Sequence, residues 1–383
     1  MRQYTQTFMR TYEQTHPWLN FRIDLRKVPA PVWLLLGRGT ALCERLGNAP
    51  LTPAETTRID LRIQAEAVLA SAAMDGNTLK PGDIEEHLAG TLRLPPAQQY
   101  LQIEVDNLLK ATRWTQDRIQ AGDTQLTPWS VQMFNAQVLK GLPWDDQVHP
   151  GEWRVPGQTT PSQGAPAEDV PLLMERLCGW LNGPVFDPEP VEERIPMALV
   201  QAALSHLYLL WINPFGEGNG RTARLLEHQL LLTAGLPPRT ALLPTIGLDR
   251  IRSAYGRLFG QCARTNDPLP FIGHWIRAFV DELELRWQQV EELQRQGAWA
   301  AHLDANFDPS TSRNATRQRQ LLQDLVAARR PVTPVQIPRL SATLAELYAP
   351  LHPKTLQRDL EALALKGFLK KTPTGMQALL GAP

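Results

Sequence analysis

The sequence predicts a mainly α-helical protein whose C-terminal segment folds as a small module of its own. Three observations carry this expectation. Apolar residues recur at helical spacing through most of the 383 residues, few runs alternate with the two-residue period of strands, and from Thr316 onward short helices give way to a hairpin.

The first strong helix is "TPAETTRIDLRIQAEAVLASAAM", where Ile59, Leu61, Ile63, Ala67, Val68 and Met74 lie broadly on one face. Thr52-Pro53, with Glu55 three residues after the threonine, marks a capped start, and Asp75-Gly76-Asn77 marks the end. Helices are expected next at "PGDIEEHLAG", "QQYLQIEVDNLLKATRWTQDRIQ" and "TPWSVQMFNAQVLKG". The segment from Pro143 to Pro171 reads as surface loop, because its prolines and glycines break both helix and central strand. Five further helices follow: "DVPLLMERLCGWLNG", "IPMALVQAALSHLYLLWI", "TARLLEHQLLLTAG", "LDRIRSAYGRLFGQC" and "PLPFIGHWIRAFVDELELRWQQVEELQRQ".

Composition narrows the classes. Lys plus Arg and Asp plus Glu are 39 each, so the whole chain offers no strong field to nucleic acid or membrane. Cys43, Cys178 and Cys262 are too few and scattered for a disulfide scaffold, and no CxxC spacing suggests zinc. The N-terminus lacks the apolar core of a signal peptide, and the run "LYLLWI" is too short to span a bilayer, so the expectation is cytoplasmic with no membrane anchor.

Residues 304–315, "DANFDPSTSRNA", are polar and turn-rich and read as a linker. Beyond them, 316–383 has the rhythm helix, short helix, turn, helix, hairpin, which is a winged-helix pattern. "HPKTLQRDLEALALKG" would be its recognition helix, with Leu356, Leu360 and Leu363 inward and Lys354, Arg358 and Lys366 outside. From Pro331 to Pro383 six basic residues face three acidic ones, so DNA contact is one reading; a dimer or protein-docking role is the other.

The chemistry concentrates in "WINPFGEGNGRTARLLE", Trp211 to Glu227. A hydrophobic helix is broken at Pro214 and a new one begins near Thr222, so Gly218, Asn219 and Gly220 fall at a helix start. Backbone N–H groups and the positive end of the helix dipole there favour an anion, and glycines let a phosphate come close. Arg221 and Arg224 reach the same side with the planar donor geometry that phosphate oxygens favour. Glu217 would be costly beside phosphates unless a divalent cation lay between, which suits a Mg2+ ligand. The loop is neither a P-loop, since no Gly-Lys-Ser/Thr follows, nor a dinucleotide fingerprint, since a helix precedes it. A glycine-rich turn whose Glu217 pairs with the arginines is the plainer alternative.

"INPFGEGNGRTAR" resembles the signature of the Fic (Fido) family, His-Pro-Phe-x-Asp/Glu-Gly-Asn-Gly-Arg-x-x-Arg. The resemblance implies an N-terminal helical extension over 1–97, a Fic-like helical core over 98–303 and the C-terminal winged helix of 316–383. It implies protein AMP transfer from ATP, or use of another nucleotide, with Mg2+ at Glu217 and phosphates at Gly218, Asn219, Gly220, Arg221 and Arg224. Phe215 matches the buried aromatic that seats the loop. A protein target bearing a hydroxyl group and a homodimer are the partners it implies.

Asn213 stands where the family has its catalytic histidine. A carboxamide cannot take the target hydroxyl's proton, so loss of that base costs roughly 10²- to 10⁴-fold in rate while leaving shape largely intact. Asp75, in "SAAMDGN", stands where inhibitory elements of the family resemble Ser-x-x-x-Glu-Gly-Asn. "GEWR" resembles the segment that precedes the family's flap, the loop that aligns target segments by strand pairing; the stretch that follows here, "VPGQTTPSQGAPAEDVP", is proline-rich and offers few N–H donors for such pairing. "SAYGRL" is similar to a family helix with Gly256 in place of its second tyrosine, and Asn135 occurs where the family commonly has "LH". Three readings follow. The first is a degenerate Fic-like protein acting by binding or regulation. The second is an adenylyltransferase captured as a His-to-Asn inactive variant, and the third a winged-helix DNA-binding regulator.

Overall fold

The computed structural model describes residues 10–144, 146–157, 164–307 and 312–379. Its helices are α1 (Thr11–Thr15), α2 (Ala30–Gly47), α3 (Pro53–Met74), α4 (Pro81–Leu88), α5 (Gln99–Gln120), α6 (Pro128–Leu139), α7 (Val170–Leu181), α8 (Val191–Ile212) and α9 (Asn219–Thr233). They continue with α10 (Pro238–Ala241), α11 (Leu243–Arg250), α12 (Arg252–Thr265), α13 (Leu269–Asn306), α14 (Arg313–Ala328), α15 (Ala342–Tyr348) and α16 (Lys354–Leu365), followed by a hairpin of β1 (Leu369–Thr372) and β2 (Gly375–Ala378). The mainly α class predicted from periodicity is what is seen.

The chain divides into two compact units, Met1–Gln288 and Gln289–Pro383. In the first, α8 is central: from Met197 onward nearly every side chain is buried. Its mean hydropathy of 1.6 over an apolar window makes it, among the described residues, the one helix long and apolar enough to cross a membrane, yet 78% of that window is buried within the fold. α9 packs along α8 and is flanked by α5, α6 and α3, so the loop joining α8 to α9 is held on several sides.

Local signals explain most boundaries. Thr52 and Glu55 form the expected capping box: Glu55 N donates to Thr52 Oγ1 at 3.3 Å and Thr52 N to Glu55 Oε2 at 2.9 Å. Asp75 caps the far end of α3 and Gly76 takes φ 100°, the left-handed turn that stops it. Several boundaries differ from the pattern: α8 starts at Val191, before Ile195; α9 starts at Asn219, not near Thr222; "LDRIRSAYGRLFGQC" breaks at Ile251 into α11 and α12; and α13 runs past Gln296 to Asn306.

The second unit takes in the C-terminal part of α13, so residues 289–303, grouped with the core by sequence, pack elsewhere: Leu303 joins the buried cluster of Leu321, Leu325, Ile337, Leu360 and Leu363. Of the expected linker 304–315, residues 308–311 lie outside the described residues. Asp359 ties three helices of this unit together, accepting from Arg317 Nε at 2.6 Å, Gln318 Nε2 at 2.9 Å and Tyr348 Oη at 2.9 Å. β1 and β2 pair antiparallel from Leu369↔Ala378 to Thr372↔Gly375, and Val332 adds a bridge to Met376. Leu356 is partly buried and Leu360 and Leu363 fully so, while Lys354 and Arg358 are exposed, as the helical spacing of α16 requires.

Candidate functional site

Asn213 ends α8 in a left-handed conformation, φ 50° and ψ 62°, its N–H donating to Leu209 O at 2.7 Å. Asparagine tolerates this region better than most residues with a side chain. Arg154 fixes the turn from outside: its Nε donates to Asn213 O at 2.6 Å, its Nη2 to Ala165 O, and its backbone N–H to Pro214 O at 2.9 Å. Ala165 N in turn donates to Ile212 O at 3.2 Å. A Cβ on Gly164 would meet Asn213 Cβ at 2.6 Å and Ile212 O at 2.8 Å, so the chain can lie this close only with glycine there. Most of the flap-like stretch's centre, residues 158–163, lies outside the described residues.

Beyond the turn, Phe215 is 1% exposed and its ring lies 4.9 Å from that of Trp153. Asn219 closes the loop by accepting from Phe215 N at 3.0 Å and donating to Phe215 O at 2.9 Å. Its amide is therefore a structural staple, and only its backbone is left to meet a ligand. Gly218 has φ 75°, and a Cβ there would meet Leu139 Cδ2 at 2.9 Å. Asn135 holds the same loop: Nδ2 donates to Glu217 O at 2.8 Å while Oδ1 accepts from Gly151 N at 2.9 Å. No side chain caps α9, so its first turn keeps the anion-binding character of a bare helix N-terminus.

The two arginines are already engaged. Arg224 Nε donates to Ser71 Oγ at 2.8 Å, and its Nη2 to Ser71 O at 2.9 Å and to the Asp75 carboxylate. Arg221 Nη1 donates to Glu104 Oε1 at 2.5 Å, and Asn77 Nδ2 donates to Glu104 Oε2 at 2.7 Å. Arg221 is 4% exposed, and its Nε has no hydrogen-bond partner; Asp75 Oδ2 is 3.8 Å away. A buried guanidinium N–H without an acceptor costs free energy that a ligand oxygen would recover. Asp75 also lies against Gly220, whose added Cβ would stand 3.0 Å from Asp75 Oδ1. The carboxylate thus sits at the first turn of α9 as an internal anion.

Arg221, Glu217, Glu104 and Asp75 face a cavity of about 500 Å³ walled by Trp144 and Tyr100. Burial raises the Glu217 carboxyl above its ordinary range; Arg221 pulls it back and Asp75 adds to the rise. Burial likewise raises Glu104, against the pull of Arg221. Both shifts come first from burial, and the positive charge of Arg221 opposes both more than the negative charge of Asp75 adds to them. A bound cation would lower them. Among the described residues no group of three or more His, Cys, Asp or Glu gathers to hold a metal by itself, so a cation here would need ligand oxygens as well as Glu217, which is the habit of Mg2+.

The α8–α9 loop and the end of α3 therefore bring together Asn213, Phe215, Glu217, Gly218, Asn219, Gly220, Arg221, Arg224 and Asp75. Lys354 and Arg358 belong to the C-terminal unit. Of the histidines nearest this loop in sequence, His206 is buried with Nδ1 2.9 Å from Glu227 Oε1, and Nε2 against Tyr255 Oη. His228 is buried against Ala241 O, and His149 is exposed. Glu104 and Arg154 are the site residues that spacing did not single out. Ser71, one helical turn before Asp75 on α3, was within reach of the four-residue repeat.

A helical domain built around a glycine-rich loop that leads into an uncapped helix start is the class this geometry defines. Residues 125–231 match the Fic/DOC family model, and the chain carries a Fic-family domain. The "Protein adenylyltransferase Fic" of Culex quinquefasciatus is 41% identical over 99 residues, 24% of this chain and 17% of that protein. Its counterpart in Drosophila melanogaster is 37% identical over 157 residues, 39% of this chain and 28% of that protein. The match thus spans less than a third of the length of these relatives. Among solved structures, a Fic family protein from Desulfovibrio desulfuricans G20 aligns over 93% of this chain and 98% of its own, with TM-score 0.54 and 19% identity. Fic-1 from C. elegans aligns over 70% and 74%, with TM-score 0.56 and 21% identity. These likenesses show the fold.

Proposed function

We propose that this chain is a Fic-fold nucleotide-binding protein, related to protein AMP transfer, whose transfer chemistry is impaired at Asn213 and which acts through binding or regulation. The observation that carries the reading is a contrast within one loop. Arg221 keeps a buried N–H without an acceptor beside an uncapped helix start and a cavity of nucleotide size, while the position of the family's proton acceptor holds a carboxamide. Phosphates of ATP would lie at Gly218, Gly220 and Arg221, with Glu217 as the protein ligand to Mg2+. When bound, that cation would neutralise phosphate charge. The residues' own work is to orient the phosphates and exclude solvent; Asn213 has no basic lone pair at neutral pH with which to accept the hydroxyl proton of a target protein. Asp75, at the first turn of α9, competes for the same place.

Calorimetric titration with ATP and Mg2+, paired with a transfer assay using labelled ATP, tests this. Saturable binding without transfer is expected. Robust transfer by the chain with Asn213 in place would overturn it, as would failure to bind ATP even after Asp75 is removed.

A second reading concerns the C-terminal unit as a winged-helix DNA contact. It is favoured by Lys354 and Arg358 on the exposed side of α16 and by exposed Lys370 and Lys371 on β1. Salt-dependent binding of duplex DNA that weakens in a Lys354→Gln, Arg358→Gln variant supports it, and binding unmoved by both changes removes it.

A further inference from the structure

The C-terminal unit encloses a cavity of about 460 Å³ between the end of α13, the end of α14 and β2. One wall is a single helix face, since Glu292, Arg295, Gln296 and Trp299 recur along α13 at three- and four-residue spacing. Arg329 and Arg330 close another side, and Gln377 and Ala378 of β2 a third. Leu325, Val326, Trp299 and Ala378 make part of the lining apolar.

The charges on these walls do not balance. Three guanidinium groups stand against one carboxylate. Glu292 is shared among several donors: it accepts from Arg295 Nη2, from Gln296 Nε2 at 2.8 Å and from Arg329 Nη2 at 3.3 Å. Arg330 is exposed and pairs with no carboxylate among the described residues. Arg329 caps α14 at φ 51°, a left-handed position that glycine or asparagine ordinarily fills. A side chain that occupies this conformation does so at a cost, and here it is the arginine whose guanidinium reaches Glu292 from the opposite wall.

We propose that this cavity binds a small organic acid, with a carboxylate head held by the arginines and an apolar ring or chain against Trp299 and Leu325. The volume lies within the roughly 300–1,000 Å³ range of small-molecule sites, and a mixed apolar and polar lining with a few convergent charges is their usual character. The planar guanidinium groups match a carboxylate, and the apolar lining favours an amphipathic acid over bare phosphate. This inference concerns the C-terminal unit and stands apart from the nucleotide reading.

The test is an NMR titration of the full chain labelled at its indole nitrogens, with the Trp299 signal assigned by Trp299→Phe. The probes are salicylate, phenylacetate and octanoate, with benzamide as the uncharged control and inorganic phosphate as the anion without an apolar body. At least one acid should shift the Trp299 signal saturably, about tenfold or more tightly than either control, which corresponds to about 1.4 kcal/mol. Arg330→Gln, an exposed change that leaves the fold intact, should weaken that acid about tenfold, and Ala378→Leu should block it. The proposal falls if no acid moves the signal, if benzamide or phosphate binds as well, or if both variants bind unchanged.

Discussion

Arg224 donates to the Asp75 carboxylate across 149 positions of sequence, joining the first turns of α9 to the last turn of α3. Asp75 caps α3 and lies against Gly220, so the same carboxylate touches the turn that would meet a phosphate. Substituting Asp75→Ala removes one of the contacts of Arg224, the others being to Ser71, and takes a competing anion away from beside Arg221. The expected result is tighter binding of ATP with Mg2+, by about tenfold, since a charge-assisted hydrogen bond of roughly 1.5–3 kcal/mol no longer has to be broken. Titration calorimetry reads this directly. Affinity that is unchanged or lower would show that Asp75 supports the site and does not occlude it.

Replacing Asn213→His tests the chemistry separately from binding. With Asp75→Ala already in place, transfer of labelled AMP should rise by at least about 10²-fold, the low end of what a positioned general base contributes. The melting curve must match that of the Asp75→Ala parent. A folded, ATP-binding double variant with no transfer would mean that Asn213 is not what limits the reaction.

The Asn213 loop was legible in sequence because its chemistry is local: the glycines, Glu217 and the arginines lie within a few residues of one another and of the helix start that uses them. The core helices were legible for the same reason, through periodicity. What sequence did not show is long-range. Glu104 meets Arg221 across 117 positions, and nothing in the spacing of α5 distinguishes it from a solvated helix carboxylate. Helix α2 was missed because Gly37 and Gly39 weaken its local signal. Tertiary packing accounts for one of those glycines, for a Cβ on Gly39 would stand 3.3 Å from Val280 Cγ2. The division of α13 between two units was hidden too, because its apolar pattern runs through without a break.

Arg154 carries a prediction about stability. It is buried, desolvation lowers its pKa, and its guanidinium serves the carbonyls of Asn213, Ala165 and Ile212. Arg154→Met keeps much of the volume but leaves those acceptors without a donor. The expected loss is about 2–4 kcal/mol in urea unfolding, from the roughly 1–3 kcal/mol that each stranded buried polar group costs after partial relaxation. A loss below about 0.5 kcal/mol, the range of ordinary surface changes, would mean the loop is held elsewhere.

His228 gives a pH dependence whose sign can be worked out. Its Nδ1 lies 3.2 Å from Ala241 O, its Nε2 has no partner, and burial pushes the ring's pKa down to about 4 from 6.5. Above the unfolded value the ring is neutral in both states and contributes no pH dependence. As pH falls through 6.5 toward 4 the unfolded chain takes up a proton that the folded chain refuses, so stability declines by as much as about 3 kcal/mol over that window. His228→Asn keeps a side-chain donor near the position of Nδ1 and removes the titrating group. The variant will be less well packed at neutral pH, so the informative quantity is the difference between the two proteins' unfolding free energies at about pH 7 and about pH 4.5. Wild type should lose more than the variant over that interval. Parallel losses would show that the acid sensitivity of the fold comes from its carboxylates and that the buried ring takes up its proton without cost.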